Sequence, residues 1–202
     1  MAELIANPWV MKKAKLEVRH VLAVQERVNE ADLSDLQYLR AVIRENLRLH
    51  PPTSLVARVC LQEDQKIQGN NVPYATIIVT NVSAMSRYPK YWEDSESFIP
   101  ERFKGSDFEY MPFGAGRRIC PGITFAQANI EIALASLLDH FDRELPPGLE
   151  PEDVDMTEVF RITVKRKSEI LLHPVPRIRG VKELVRTTTI GCLRMVWMFI
   201  HW

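Results

Sequence analysis

Cys120 stands in the run Phe113-Gly114-Ala115-Gly116-Arg117-Arg118-Ile119-Cys120-Pro121-Gly122, just before the longest helical pattern of the chain. A helix N-terminus presents unpaired N–H groups and a partial positive charge. Both favour a thiolate over a thiol, and Arg117 and Arg118 add to the cationic field. Gly122 lets a backbone or a ligand come close. A thiolate so placed could ligate a metal or act as a nucleophile. A buried structural cysteine is the ordinary alternative. A phosphate loop fits less well, because Ile119 stands where the third glycine of G-x-G-x-x-G belongs. A nucleophile would need a histidine base, and spacing alone brings none of His20, His50, His140, His173 or His201 to Cys120. Spacing leaves the choice open.

The elements that must position these residues are mostly helical. Asn7 reads as a cap and Pro8 as a first helical residue; Val10, Met11, Ala14, Val18, Val21 and Leu22 share one face, with an end near residues 25–29. Ser34 with Gln37 reads as a capping box, and Leu33 with Tyr38 as a staple. They open a second helix over residues 35–49, striped by Leu36, Leu39, Ile43 and Leu47 and ended by Pro51 and Pro52. Glu45 and Arg48 lie three apart on it, which on a surface would be an ion pair worth under about 1 kcal/mol. Residues 54–60 and 76–82 read as strands with turn residues between.

Residues 88–116 read as a long ordered loop holding Tyr91, Trp92, Phe98, Phe103, Phe108 and Tyr110. Ile123, Ala126, Ile130, Ala133, Leu134, Leu137, Leu138 and Phe141 predict a third helix over residues 121–141. An acidic, proline-bearing connector follows to Asp155. Residues 160–164 and 169–173 then read as a hairpin around 165–168.

Composition narrows the function. The chain has 202 residues, 46% apolar and 26% charged, with 26 basic and 26 acidic residues and no net charge. That argues against a basic nucleic-acid reader and against polybasic membrane docking. Three cysteines without a C-x-x-C pair argue against a zinc ribbon, a redox dithiol or a disulfide scaffold. No apolar run reaches the roughly 18 residues of a membrane helix, and the first residues do not read as a signal peptide.

Three motifs occur in one order. Phe113, Gly116, Arg118, Cys120 and Gly122 match F-x-x-G-x-R-x-C-x-G; Glu45-Asn46-Leu47-Arg48 matches E-x-x-R; Pro100-Glu101-Arg102-Phe103 is P-E-R-F. Together they resemble the cytochrome P-450 family. Residues 1–178 are similar to the C-terminal portion of a plant microsomal A-type member. The resemblance implies a mainly α fold with small β-sheets, the incomplete C-terminal half of that fold.

It implies heme b with Cys120 as axial iron ligand and Phe113, Gly116, Gly122 and Ala126 around it. It implies Arg118 and Arg58 as propionate partners, and a buried network of Glu45, Arg48 and Arg102 bracing the loop. Substrate contacts would come from Thr53, Ser54, Leu55, Val56, Phe160 and Ile162.

The implied reaction inserts one oxygen atom from O2 into a lipophilic small molecule. Electrons would come from NADPH through a partner reductase, at the cytosolic face of the endoplasmic reticulum membrane. The family's distal helix, with its acid–threonine pair, and its membrane anchor would lie upstream of these residues. Met1–Ala6 resembles only the far end of that helix, so no catalytic residue is identified here. Rival expectations are a non-catalytic heme-binding fragment and a non-functional truncated product. Tyr88, Ser95 and Arg161 depart from the family's usual Asp, Pro and Gly. Residues 179–202 have no family counterpart and read as an off-family tail, with an amphipathic surface-binding helix as the rival.

Overall fold

The computed structural model describes residues 1–23, 28–63, 65–103, 109–161 and 163–177. Phe108, Ile162 and the 179–202 tail lie outside the described residues. The helices are α1 (Ala2–Ala6), α2 (Pro8–Val21), α3 (Gln37–Leu49), α4 (Val82–Ser86) and α5 (Ile123–His140). The strands are β1 (Leu55–Val59), β2 (Gln65–Ile67), β3 (Asn70–Val72), β4 (Ile77–Asn81), β5 (Phe141–Glu144), β6 (Glu158–Phe160), β7 (Val164–Arg166) and β8 (His173–Pro176). They pair as four two-stranded antiparallel sheets: β1–β4, β2–β3, β5–β8 and β6–β7. The fold is mainly α with small sheets.

Helical periodicity builds the core. Val10, Ala14 and Val18 of α2 meet Leu39, Val42, Ile43 and Leu47 of α3, and Ala135 and Leu138 of α5 close the third side. The stripe read on α5 differs from its buried face. Of the stripe only Leu138 is fully buried; Glu131, Ala135 and Asp139 share its burial. The helix is apolar on several sides, so periodicity does not single out the inner one. Arg40 reaches both oxygens of Glu131 at 3.2 Å and admits that carboxylate to the packed face.

Three boundaries also differ from the sequence reading. The first long helix, α2, ends at Val21 rather than near residues 25–29; the Leu22 N–H closes its last turn on the Val18 carbonyl at 2.9 Å. Asn7 does not cap α2; its side-chain amide donates backward to the Glu3 carbonyl at 2.9 Å, because Asn7 also ends α1. Ser34 is not a capping box with Gln37. Residues Glu30–Asp35 form a 3-10 turn, inside which the Ser34 hydroxyl donates to the Ala31 carbonyl at 3.1 Å. The α3 N-terminus is capped from another helix instead: Glu17 accepts the Tyr38 and Leu39 N–H groups at 2.7 and 2.8 Å. A carboxylate on two orphan donors at a helix N-terminus is a charge-assisted cap. Glu17→Ala therefore costs about 1 kcal/mol and lowers the urea midpoint. A midpoint equal to that of the parent chain would show that water replaces the cap.

The last hairpin is also shifted. Phe160 pairs with Val164, so residues 165–168 are not the turn, and β8 pairs with β5 rather than with β7. Asp155 fixes the open end by accepting the Thr157 N–H and the Ser168 hydroxyl, while the Lys167 N–H donates to the Thr157 carbonyl at 2.7 Å. That places the basic stretch within and after β7.

Candidate functional site

The run before α5 is a tight loop. Gly114 and Gly116 hold φ of +77° and +71°, a region that side chains disfavour. The Cys120 N–H donates to the Phe113 carbonyl at 3.0 Å and the Ile119 N–H to the Gly116 carbonyl at 3.1 Å. These bonds tuck Phe113 against the core and leave Cys120 as an exposed free thiol. A Cβ on Gly122 would stand 3.8 Å from the Cys120 Sγ, in contact with it, so glycine keeps that side of the sulfur bare. Gly122 caps α5, and its carbonyl accepts the Ala126 N–H at 2.9 Å. Arg58 reaches from β1 and donates through Nη2 to the Arg118 carbonyl at 3.1 Å. The loop therefore presents one sulfur, flanked by the exposed guanidinium groups of Arg117 and Arg118, with Arg58 docked beside it.

Behind the loop lies a buried ionic network. Glu45 is fully buried and Arg48 is 1% exposed. Arg48 grips Glu45 in a bidentate pair at 2.8 and 2.9 Å. Its remaining donors reach the carbonyls of Ser86, Ser95 and Ser97. Arg102 Nε and the Ile99 N–H also donate to Glu45 Oε1, at 3.0 and 2.9 Å. Arg102 further holds the carbonyls of Glu93, Asp94 and Ser97. Two motifs 52 and more residues apart in sequence thus share one carboxylate.

Aromatic contacts extend this support. Arg44 Cζ lies 4.2 Å from the Phe103 ring centroid and 5.1 Å from that of Tyr110, and Arg48 stands over Trp92 at 5.3 Å.

The segment after the Pro-Pro turn lies beside the last hairpin. The Val164 N–H donates to the Pro52 carbonyl at 2.8 Å. Thr53, Leu55 and Phe160 are exposed, with Leu55 at 56% and Phe160 at 66%; Ser54 and Val56 are half-buried. Ile162 lies outside the described residues. Sequence reasoning missed His50. Its Nε2 lies 2.7 Å from Glu3 Oε1 and its Nδ1 2.5 Å from Glu158 Oε1. Burial opposes a charged ring there, but hydrogen bonds to the two carboxylates outweigh it and raise the His50 pKa.

Among the described residues, no three His, Cys, Asp or Glu side chains converge on a protein-only metal site. A lone thiolate suits a metal that brings its own equatorial ligands, and neighbouring guanidinium groups suit carboxylates on that ligand. Residues 1–173 match the family model for cytochrome P450. The chain belongs to the cytochrome P450 family.

Plant proteins are among its relatives. It is 47% identical over 197 residues to desmethyl-deoxy-podophyllotoxin synthase of Sinopodophyllum hexandrum, covering 94% of this chain and 38% of the relative. It is 47% identical over 184 residues to premnaspirodiene oxygenase of Hyoscyamus muticus, covering 87% and 36%. It is 48% identical over 184 residues to 5-epiaristolochene 1,3-dihydroxylase of Nicotiana tabacum, again covering 87% and 36%. The chain thus spans a little over a third of the length of these relatives. The family's cofactor is a heme iron, served by electrons from NADPH. Among the described residues, no helix is long and apolar enough to cross a membrane.

Proposed function

We propose that this chain supplies the proximal, thiolate-bearing side of a heme monooxygenase. In this reading Cys120 would hold the heme iron through its thiolate, and residues 1–178 carry the family unit. Phe113 packs beside the loop and limits water at the sulfur. Arg118 and Arg58 would pair with the heme carboxylates, and Gly116, Gly122 and Ala126 would give the macrocycle room. Glu45, Arg48 and Arg102 hold the chain behind the loop. Bound heme would supply O2 activation, to which a thiolate ligand contributes electron density.

The whole protein would insert one oxygen atom into a lipophilic small molecule and release the other as water. The two electrons come from NADPH through a partner reductase at the endoplasmic reticulum. The relatives' names, an oxygenase and a dihydroxylase, support an oxygen-inserting reaction. Thr53, Ser54, Leu55, Val56, Phe160 and Ile162 belong to the substrate side, and the exposure of Leu55 and Phe160 suits an apolar ligand.

The observation that carries this reading is the free, exposed Cys120 thiol on a glycine-shaped loop docked by Arg58. Its test is the absorption spectrum of the chain with hemin, reduced under carbon monoxide, beside Cys120→Ser. A red-shifted thiolate-type Soret band present only with Cys120 is the expected result. No such band, or the same band in Cys120→Ser, overturns the ligand assignment.

A further inference from the structure

His50 ends α3 and precedes Pro51 and Pro52, so it stands at the root of the segment that runs into β1. Its ring is held from two directions. Glu3 comes from α1 and Glu158 from β6, and each puts an oxygen within hydrogen-bond reach of a different ring nitrogen. A neutral imidazole has one N–H, so it can donate to only one of two carboxylates; an imidazolium donates to both. The geometry therefore describes a charged clamp with two arms.

The arms are unequal. α1 is anchored by the buried side chains of Leu4 and Ile5. The β6–β7 hairpin has three residue pairs, and among the described residues its hydrogen bonds to this corner are the Glu158 arm and the Val164-to-Pro52 bond. Loss of one arm releases the hairpin before it releases the helix.

We propose that His50 is a positioning residue that clamps the Phe160 hairpin to the Pro51–Pro52 turn by donating both ring N–H groups, and that loss of one proton loosens the hairpin. This rests on the proposed function only in giving the hairpin a substrate-facing role; the clamp itself rests on the two contacts. Two segments assigned to the substrate, residues 53–56 and Phe160, then share one protonatable joint.

The surrounding charges set the sign. Glu3 and Glu158 face the ring directly. Arg166 stands opposite Glu158 in the hairpin register. The Met1 amine sits near Glu3, Arg143 and Arg166, and burial pulls it down to about 6. The folded His50 value is raised above its ordinary 6.5. The clamp is therefore complete below about 6.5 and is lost as pH rises through the raised value. The Met1 amine also titrates in this region, so variants that leave it untouched are the proper controls.

Hydrogen exchange on the 202-residue chain tests this. It is read from about pH 5.5 to about pH 8.5 and expressed as protection relative to intrinsic exchange. Peptides covering β6 and β7 lose on the order of tenfold protection towards the upper pH, the size of one charge-assisted hydrogen bond, while α3 peptides hold. His50→Gln shows the low hairpin protection at every pH. Glu158→Gln stays protected at both ends of the range, because its amide can donate to the unprotonated Nδ1.

The proposal is overturned by a pH response that persists in His50→Gln. It is equally overturned by a hairpin whose protection ignores pH or is absent throughout. The hemin band and the hairpin exchange are separate readouts, so failure of the heme assignment and failure of the clamp are told apart.

Discussion

Glu45→Ala lowers the unfolding free energy of the chain by about 3–5 kcal/mol in urea titrations followed by far-ultraviolet circular dichroism. The carboxylate accepts four N–H groups: two from Arg48, one from Arg102 and the backbone N–H of Ile99. Alanine strands the Arg48 guanidinium, 1% exposed, away from both its counter-ion and water. A domain's whole stability is typically about 5–15 kcal/mol, so the loss takes a large share of it, and hemin binding falls with it. Glu45→Gln recovers part of the loss, since its carbonyl oxygen still accepts while its amide nitrogen faces an Arg48 donor.

Glu101→Ala, one residue from Arg102, is the contrast. Its pair with Lys13 spans 2.7 Å between side chains 45% and 44% exposed, and its removal costs under about 1 kcal/mol. Equal losses at Glu45 and Glu101 would mean that burial does not set the energetics of this network.

How much of this was legible beforehand follows from what local sequence can encode. The inward faces of α2 and α3 are one-dimensional signals, since Val10, Ala14 and Val18, and Leu39, Ile43 and Leu47, repeat at helical spacing. The Glu45–Arg48 neighbourhood is local too, because residues three apart share a helix face. The motif run around Cys120 carries its own turn chemistry in Gly114 and Gly116.

What escaped is tertiary. Glu17 caps a helix 21 residues away, and nothing near Ser34 announces that a remote carboxylate will displace it. The partners of His50 lie 47 and 108 residues off. The inner face of α5 was misjudged because a helix apolar on several sides is oriented by its neighbours, here Arg40 against Glu131. The hairpin turn was misplaced because the basic stretch looked like a loop, whereas Asp155 and Ser168 close the opposite end.

Arg48→Lys is the second large effect, although it keeps the charge. Arginine carries five N–H donors, and each of the five finds an acceptor here: Glu45 Oε1, Glu45 Oε2 and the carbonyls of Ser86, Ser95 and Ser97. Lysine offers three donors from a single point, so at least two of the five hydrogen bonds are lost, although Arg102 still serves Glu45 Oε1 and the Ser97 carbonyl. At roughly 1–3 kcal/mol for each lost bond from a charged donor, the cost is about 2–6 kcal/mol.

The loss is directional. Three of the acceptors are carbonyls of the stretch from Ser86 to Ser97, and Trp92, stacked under the Arg48 guanidinium, lies in the same stretch. That stretch should loosen before α2 or α5, whose mutual packing does not pass through Arg48. Limited proteolysis therefore nicks Arg48→Lys between residues 86 and 99 while α2 and α5 stay intact. A cleavage pattern and urea midpoint matching the parent chain would show that positive charge alone suffices at this position. The nicked stretch leads directly into Arg102 and the P-E-R-F turn, so the same variant separates two roles for the network. If hemin binding survives the nick, the network holds the chain; if it disappears with the nick, the network holds the Cys120 loop.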